Sequence, residues 1–409
     1  MKAAIITIGD EILLGQILDT NSRFIARELT KLGAETIEMR SVSDERDEIL
    51  RALTDTLHKA DVVILTGGLG PTKDDITKNA LAEFFHTALE FNPQVYGWLK
   101  ELFSADPGRL NAYNKTQALL PKTCEPLRNI KGTACGMWFE QKGKVVVSLP
   151  GVPFEAEHLM MTEVLPRLKT RFSDLQLAYQ SITVYDIPEA ELAMRLAGFE
   201  KELPTAVKLA YLPSPGFVRL RLTSGRGKLE PWIEMLRKHL EGLTFTEGER
   251  TPEEEIASCL RMSNKTITCA ESCTGGNIAH QITEVPGASA YFKGGIVAYS
   301  NDVKMQVLGV SKTDLEKYGA VSEPVALQMA QGARRVTGAD YAVATTGIAG
   351  PSGGTPEKPV GTVWIAVAGP KGAQAKKFLF SRTRERTIGK ASVTALHWLA
   401  SAVQHSSLG

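Results

Sequence analysis

The sequence predicts an α/β protein with a doubly wound N-terminal domain, a small α/β connector and a layered α/β C-terminal domain. The chain has 409 residues, which is too long for a single hydrophobic core. Its first third alternates short β-branched strands with helices, a pattern typical of a parallel sheet covered on both faces. Glycine-rich segments follow apolar strands in both outer parts of the chain. We therefore place the domains at residues 1–170, 171–246 and 252–409.

The bulk composition is that of an ordinary globular protein. Hydrophobic residues make up 43% and charged residues 23% of the chain, and the formal net charge is +1. A net charge this close to zero favours neither a nucleic acid nor a membrane surface as a partner. The five cysteines form no even disulfide framework and favour reduced thiols in a cytoplasmic protein. We find neither a signal-peptide core nor an apolar run approaching the roughly 18 residues of a membrane span.

Strands and helices alternate through the predicted N-terminal domain. Its opening strand, Lys2–Ile8, is short and β-branched, as buried parallel strands are. The first helix is expected to be capped by Thr20 and stopped by Gly33. The other predicted elements are strands at 35–41 and 61–66, helices at 21–32, 45–60, 93–103, 109–118 and 153–168, and a hairpin of 134–140 with 144–149.

The connector and the C-terminal domain are predicted as further α/β layers. The connector should hold strands at 179–185, 207–212 and 217–223, helices at 189–196 and 229–240, and a polar linker at 247–255. The C-terminal domain should hold strands at 266–270, 292–299, 340–346, 361–368 and 373–380, and helices at 252–263, 322–337 and 387–404. Because ligands of such sheets bind at the carboxyl ends of strands, we expect the sites there.

The first candidate site is the loop at residues 67–75, which follows the third predicted strand. Backbone N–H groups of Gly67, Gly68, Gly70 and Thr72 can cradle a phosphate. The loop is not a P-loop, because it lacks the Gly-Lys-Ser/Thr ending. It therefore predicts phosphate binding of another kind.

Carboxylates are expected around the same crevice. Asp74 and Asp75 in the loop, Asp10 and Glu11 after the first strand, and Glu155 at a helix start could hold a divalent cation such as Mg²⁺. The alternative roles are helix capping for Asp10 and Asp74 and a favourable interaction with the helix dipole for Glu155.

The second candidate site is a strand-to-helix turn built from small hydroxyl residues and two glycines. Its residues are Ser272, Cys273, Thr274, Gly275 and Gly276. Exposed N–H groups and the helix dipole both favour a phosphate there, and we expect that phosphate to belong to a nucleotide. Cys273 is a rival nucleophile, because a helix N-terminus lowers a thiol pKa. Without a placed histidine, we favour its alternative role as a small buried residue.

The third candidate is a serine nucleophile activated without histidine. Ser289 is predicted on a loop, Tyr299 at a strand end and Lys304 one turn into a helix. A desolvated lysine or a tyrosinate can serve as the base in such a site. The alternatives are a turn or capping hydroxyl for Ser289 and a solvated helix position for Lys304.

Two further segments are expected near this site. The strand ending at Thr346 and Gly347 continues into a glycine-rich loop that could form a lid. A basic run before the last helix could clamp a phosphate or carboxylate, form a solvated face, or contact nucleic acid. Its residues are Lys376, Lys377, Arg382, Arg384 and Arg386. Few aromatic residues alternate with these basic residues, so contact with nucleic acid is the least favoured of the three roles.

Six motifs together resemble the CinA family, named for competence and damage induction. They cover both outer domains and the connection between them. The motifs are Gly9-Asp10-Glu11-Ile12-Leu13 with Asp19-Thr20-Asn21, Gly67-Gly68-Leu69-Gly70-Pro71-Thr72-Lys73-Asp74-Asp75, Leu149-Pro150-Gly151-Val152-Pro153, Ala270-Glu271-Ser272-Cys273-Thr274-Gly275-Gly276, Tyr299-Ser300-Asn301 and Gly347-Ile348-Ala349-Gly350-Pro351. Chance agreement with all six is negligible.

For the first domain, the resemblance implies a molybdopterin-binding-like fold. In CinA relatives this domain is associated with metal-dependent ADP-ribose pyrophosphatase activity. Asp74, Asp75 and Glu11 would then hold the cation, and Asn21 would join the substrate-binding residues. The middle segment resembles a KH-type connector, but it lacks the Gly-x-x-Gly clamp for RNA.

For the last domain, the resemblance implies a fold similar to nicotinamide mononucleotide (NMN) deamidases, which release ammonia from the nicotinamide amide. It assigns Ser289 as nucleophile, Lys304 as base and Tyr299 as helper, with Thr346 and Arg384 completing a site that needs no cofactor. We expect NMN and ADP-ribose as substrates and a homodimer, without membrane or nucleic-acid partners. Two alternatives stay open: an N-terminal domain that only binds a pterin or nucleotide, and an accessory role in DNA uptake or repair.

Overall fold

The computed structural model describes residues 1–72, 75–106, 108, 110–172, 177–225, 228–380 and 383–407, without the side chains at 112, 113 and 405–407. The chain forms two compact units, one made mainly of Met1–Ala178 and the other of Tyr179–Thr223 with the chain from Leu229 onward. Three residues named above, Lys73, Asp74 and Arg382, lie outside the described residues. No described helix is long and apolar enough to cross a bilayer.

The first unit alternates strands and helices much as predicted. Its described strands are β1 (Lys2–Ile8), β2 (Glu35–Val42), β3 (Val62–Thr66), β4 (Leu89–Phe91), β5 (Leu119–Pro121), β6 (Glu125–Leu127), β7 (Gly136–Gln141) and β8 (Lys144–Leu149). Its described helices are α1 (Asp10–Leu13), α2 (Thr20–Leu32), α3 (Arg46–Lys59), α4 (Thr77–Phe84), α5 (Pro93–Leu102), α6 (Ala112–Thr116), α7 (Pro153–Leu159) and α8 (Leu165–Arg171). A π-helical turn, Met160–Val164, joins α7 to α8.

The main sheet of this unit is mixed. The described strands lie in the order β2-β1-β3-β8-β7-β6. Strands β2, β1, β3 and β8 are parallel, as predicted. The predicted hairpin of β7 with β8 is confirmed, with a tight turn at Lys142 and Gly143, both at positive φ, and β6, which was not predicted, pairs antiparallel with β7. Apolar side chains from α2 and α7 cover one face, and those from α3 and α4 cover the other.

The first long helix is capped one residue earlier than predicted. Asp19, not Thr20, occupies the N-cap position of α2, and its carboxylate accepts a hydrogen bond from the N–H of Ser22 at 2.8 Å. The predicted stop is confirmed, because Gly33 takes a left-handed conformation with φ of 91°.

The connector folds as a small α/β sandwich. Its described elements are β9 (Ala178–Tyr185), α9 (Glu189–Glu202), β10 (Val207–Ser214), β11 (Phe217–Ser224), α10 (Glu230–His239) and β12 (Phe245–Glu247), with strand order β10-β11-β9-β12. Strand β12 was not predicted. The ring of Tyr185 stacks on His397 with centroids 3.8 Å apart, and its hydroxyl donates to Glu255 at 3.1 Å. The connector therefore packs against the C-terminal domain within one unit.

The C-terminal domain is a five-stranded sheet between helices in its described part. Its helices are α11 (Pro252–Ser263), α12 (Asn277–Glu284), α13 (Asn301–Gln306), α14 (Lys312–Tyr318), α15 (Glu323–Thr337) and α16 (Arg384–Ser407). Its strands are β13 (Ile267–Glu271), β14 (Phe292–Val297), β15 (Tyr341–Gly347), β16 (Thr362–Gly369) and β17 (Gly372–Leu379), in the order β14-β13-β15-β16-β17. Strands β14, β13 and β15 are parallel, so their carboxyl ends meet at one edge.

Candidate active site

Three predicted segments converge at the carboxyl edge of the C-terminal sheet. The turn of residues 272–276 follows β13, Tyr299 follows β14, and Thr346 ends β15 with Gly347. The turn is sharp because Gly275 and Gly276 both have positive φ, at 64° and 102°. Its backbone is tied to the next strand, since the N–H of Ser272 donates to the carbonyl of Thr345 at 2.9 Å.

A buried lysine contacts the serine of this turn. Lys304 is only 1% exposed, and its Nζ lies 3.0 Å from the Oγ of Ser272. The same nitrogen lies 2.8 Å from the carbonyl oxygen of Ala298 and 3.2 Å from that of Tyr299. The first turn of α13 thus places the lysine beneath the serine hydroxyl.

The surroundings of Lys304 favour its neutral form. Burial lowers the pKa of this amine, with only a small opposing effect of Cys273. A neutral amine has two N–H donors and one lone pair. The two carbonyl oxygens can accept both donors, which leaves the lone pair for the hydroxyl proton of Ser272. This is the arrangement of a serine nucleophile with a lysine base.

The described chain does not bring Ser289, the predicted nucleophile, beside Lys304. Ser289 is exposed in a 3₁₀ turn, Ala288–Ala290, that precedes β14, whereas Lys304 follows the same strand. In the parallel register, Phe292 pairs with Ile267 at one edge and Val297 pairs with Glu271 at the other. Four residue steps of a strand span about 13 Å. Ser289 and the 272–276 turn therefore lie at opposite edges, and Lys304 cannot reach the Ser289 hydroxyl.

The turn is also not the open phosphate cradle that we predicted. Glu271 is fully buried, and its carboxylate accepts hydrogen bonds from the N–H groups of Gly276 at 3.0 Å, Ile278 at 3.1 Å and Ala279 at 2.8 Å. The N-terminus of α12 is therefore neutralised by a side chain of the protein itself. In the described part of the chain, the N–H groups of Cys273 and Thr274 donate to no protein oxygen. These two remain available for a developing oxyanion.

Replacing Glu271 by Gln is expected to lower the free energy of unfolding of the second unit by about 1–3 kcal/mol, because the amide loses the charge that the helix N-terminus favours. Urea denaturation of the full chain measures this change. Glu284→Gln, at an exposed position on the same helix, is the control and should change stability by less than about 0.5 kcal/mol. Equal losses in both variants would contradict the capping role.

The surroundings of Cys273 make its thiol unreactive. Burial raises its pKa to about 12, and the side chain is 6% exposed. The interpretation as a small buried residue is therefore favoured over that of a nucleophile.

Arg384 and Tyr299 meet at the mouth of the site. The guanidinium of Arg384 donates to the Tyr299 hydroxyl at 3.0 Å and to the carbonyl oxygen of Gly350 at 3.1 Å. Tyr299 is 60% exposed, while its own carbonyl contacts Lys304. One tyrosine residue thus separates the arginine from the Ser272–Lys304 pair.

Thr346 and Gly347 have structural roles in this arrangement. The hydroxyl of Thr346 is buried and donates to the carbonyl oxygen of Ala320 at 2.8 Å. Its proton is therefore not available to an oxyanion. A Cβ on Gly347 would lie 2.7 Å from the carbonyl oxygen of Thr362, so only glycine fits there.

The predicted crevice of the N-terminal domain also lies at a carboxyl edge. Asn21 is 7% exposed, and its Nδ2 donates to the Thr66 hydroxyl at 2.9 Å and the Gly151 carbonyl at 2.8 Å. Its Oδ1 is buried without a partner among the described residues. The crevice therefore contains a buried acceptor that no described protein group uses.

The loop after β3 uses most of its predicted phosphate donors internally. The N–H groups of Gly70 and Thr72 donate to the Asp75 carboxylate at 2.7 and 2.8 Å, and the Thr72 hydroxyl does so as well. The N–H of Gly67 donates to the carbonyl oxygen of Leu149 at 3.1 Å. Gly67 must be glycine, because a Cβ there would lie 2.1 Å from the carbonyl oxygen of Ile8.

The described carboxylates do not assemble a metal site. Asp10 and Glu11 are exposed in α1, and the backbone N–H groups of Asp10 and Asp44 each donate to the carboxylate of the other residue, at 3.1 and 3.4 Å. Glu155 is buried, accepts from the Asn129 amide at 2.6 Å, and has its pKa raised by burial. Among the described residues, no three His, Cys, Asp or Glu side chains lie close enough together to hold a metal ion. The described carboxylates do not by themselves form the predicted cation site, and we derive no step through a metal ion.

Comparison with known proteins defines the class of both outer parts. Residues 4–170 match the model of a probable molybdopterin binding domain, and residues 249–403 match that of the CinA C-terminal domain. The chain is 45% identical over 402 residues to a CinA-like protein of Cytophaga hutchinsonii, covering 97% of this chain and 96% of that one. It is 44% identical over 409 residues to a CinA-like protein of Flavobacterium psychrophilum, covering 98% of each. The chain belongs to the CinA family.

Proposed function

We propose that the C-terminal domain is a serine amidase that converts NMN to nicotinate mononucleotide and ammonia. The observation that carries this proposal is the 3.0 Å contact between the Ser272 hydroxyl and the amine of Lys304, which is buried and has a lowered pKa. In its neutral form, which burial favours, a lysine can remove the proton of a serine hydroxyl as it attacks.

The reaction proceeds in two stages. In the first, Ser272 Oγ attacks the carboxamide carbon and its proton passes to Lys304 Nζ. The N–H groups of Cys273 and Thr274 stabilise the oxyanion, and the tetrahedral intermediate collapses as Lys304 returns the proton to the departing ammonia. In the second, Lys304 deprotonates a water molecule that attacks the ester on Ser272. The C–O bond to Ser272 breaks, the serine recovers its proton from Lys304, and the nicotinate product leaves.

The phosphate of NMN is assigned to Arg384. This guanidinium lies at the first residue of the long helix α16, and both the helix N-terminus and the arginine favour an anion. Tyr299 connects this position to Lys304 through its own backbone. A single mononucleotide can therefore place its amide at Ser272 and its phosphate at Arg384.

Replacing Arg384 by Met is expected to raise the KM for NMN by about 10- to 100-fold, because one charge-assisted contact to the phosphate is lost. The KM for nicotinamide riboside, which has no phosphate, should change little. Steady-state ammonia release measures both constants. Arg386→Met, also exposed in the first turn of α16, is the matched control. An unchanged KM for NMN in Arg384→Met would rule out this phosphate position.

Product analysis tests the proposed activity itself. The full chain is incubated with NMN, and nicotinate mononucleotide and ammonia are quantified by chromatography and a coupled assay. We expect equal amounts of both products. Turnover of glutamine or nicotinamide without turnover of NMN would contradict the assigned substrate.

For the N-terminal domain, we propose binding of a nucleotide and hydrolysis of ADP-ribose to AMP and ribose 5-phosphate. The crevice with the unpartnered Asn21 acceptor supports ligand binding. Binding without catalysis is the second candidate, favoured by the internal hydrogen bonds of Asp75 and Glu155. Incubating the full chain with ADP-ribose, with and without EDTA, separates the two. AMP formation that EDTA abolishes supports metal-dependent hydrolysis, and binding without AMP formation supports the second candidate.

A further inference from the structure

A buried lysine lies directly under the loop that follows β3. Lys78 occupies the first turn of α4, next to Thr77, which fastens this helix to the loop. The Thr77 hydroxyl donates to the Gly67 carbonyl at 3.0 Å, and the Thr77 N–H donates to that of Gly68 at 3.2 Å. Lys78 is 9% exposed. Its amine is therefore mostly removed from solvent, and the carboxylate of Asp75 in the loop acts on it electrostatically.

The hydrogen-bonding capacity of this lysine is mostly unused. Its Nζ donates to the Oε1 of Gln117 at 2.7 Å, while an ammonium group has three donors. Gln117 is fully buried, and its Nε2 has no partner among the described residues. Two donors of Lys78 and the amide nitrogen of Gln117 thus remain without an acceptor in the described chain. Unpaired buried donors are costly, and an oxyanion is the acceptor that would satisfy those of Lys78.

The titratable groups that act on Lys78 are two thiols and one carboxylate. The thiols of Cys124 and Cys135 lie nearby, but burial raises their pKa to about 12 and about 11, so both are neutral. The carboxylate of Asp75 also acts on Lys78, but it already accepts three hydrogen bonds from the loop. Burial has the largest effect on the pKa of Lys78 and lowers it. A phosphoryl group beside the lysine would stabilise its charged form.

We propose that Lys78, positioned by Gln117, binds a phosphoryl group of the ligand in the N-terminal crevice. This inference rests on the proposed nucleotide binding by that domain and assigns the cation that contacts the phosphate. It explains how the loop can bind an anion although its N–H groups at Gly67, Gly70 and Thr72 are occupied. Lys78 touches the ligand, whereas the fully buried Gln117 acts through the lysine.

The test compares ligands with and without a phosphate by isothermal titration calorimetry on the full chain. The probes are AMP and adenosine. Lys78→Met should raise the Kd for AMP by about 10- to 100-fold and leave the Kd for adenosine unchanged. Lys115→Met, at an exposed position on α6, is the control and should bind AMP and adenosine with the same Kd values as the unchanged chain. Unchanged AMP affinity in Lys78→Met would overturn the assignment. If the unchanged chain binds neither AMP nor ADP-ribose, the proposed function of this domain fails instead.

A second variant separates ligand binding from a purely structural role. Lys78→Met/Gln117→Leu removes both polar partners, so no buried group is left unsatisfied. Its melting temperature without ligand should equal or exceed that of the unchanged chain, and AMP should no longer raise it. A lowered melting temperature with an intact AMP response would show that the pair only supports the fold.

Discussion

Replacing Ser272 by Ala is expected to lower kcat for NMN deamidation by about 10³-fold or more. The reason is that the serine oxygen is the atom that forms the covalent bond, and removal of a nucleophile leaves only the catalysis supplied by binding and oxyanion stabilisation. Steady-state ammonia release from NMN by the full chain measures the effect. The KM should change much less, because Arg384 rather than Ser272 contacts the phosphate.

Ser289→Ala is the matched control for this variant. Ser289 is exposed at the opposite edge of the sheet. The kcat of Ser289→Ala should therefore remain within about twofold of that of the unchanged chain. Circular dichroism and melting temperature should be unaffected in both variants. A large loss in Ser289→Ala together with an active Ser272→Ala would refute the assignment made from the geometry.

Replacing Lys304 by Met is expected to lower kcat/KM for NMN by about 10²- to 10⁴-fold, the range for loss of a general base. Methionine matches the length of the lysine stem and suits the buried site, so the fold should persist. Lys304→Arg should be equally inactive, because a guanidinium stays protonated and cannot accept the serine proton. An arginine variant that retains activity would show that the positive charge, not the free base, is what the site needs.

The same lysine predicts the pH dependence of the reaction. Below its pKa, Lys304 is protonated and cannot remove the proton of Ser272, so kcat/KM should rise with increasing pH and level off above that pKa. Because burial lowers this pKa, the midpoint should lie below the value of about 10.4 for a free lysine. The residual activity of Lys304→Met should lack this titration. A rate that falls as the pH rises through this range would contradict a neutral lysine base.

Much of the fold could be predicted from residue pattern alone. The β-branched run of β1 and the glycine stop of α2 are local signals, and both were predicted at the observed positions. The antiparallel hairpin of β7 with β8 was predicted, but strand β6 beside it was not. Which strand pairs with which is decided by packing between distant segments, and residue periodicity does not carry this information.

Ser289 and Lys304 lie apart in the folded chain for a topological reason. They were paired because of the resemblance to the family's site and because they belong to one cluster of residues in the sequence. The strand between them separates them, because a residue before a strand and a residue after it lie at opposite edges. Ser272 follows β13 and Lys304 follows β14, so the parallel pairing of these strands brings them together. Ligands of such sheets bind at the carboxyl ends of the strands, and among the candidate serines this rule indicates Ser272.

The two predicted phosphate cradles share a feature that residue type did not indicate. Each contains its own anion: Glu271 accepts from the helix N-terminus after β13, and Asp75 accepts from the loop after β3. The pattern of glycines and hydroxyl residues correctly indicates backbone donors that need an anion. Whether a ligand or a nearby carboxylate supplies the anion depends on side-chain direction, which only the folded chain reveals.

The most direct test of the Ser272–Lys304 site is identification of the acylated residue. The full chain is mixed with NMN in a rapid-quench experiment, the reaction is stopped with acid at a series of early times, and the protein is digested for peptide mass spectrometry. Our account predicts a transient nicotinate mononucleotide ester on the peptide containing Ser272, absent from Ser272→Ala. An ester on the peptide containing Ser289, or product formation by Ser272→Ala at the unchanged rate, would contradict it.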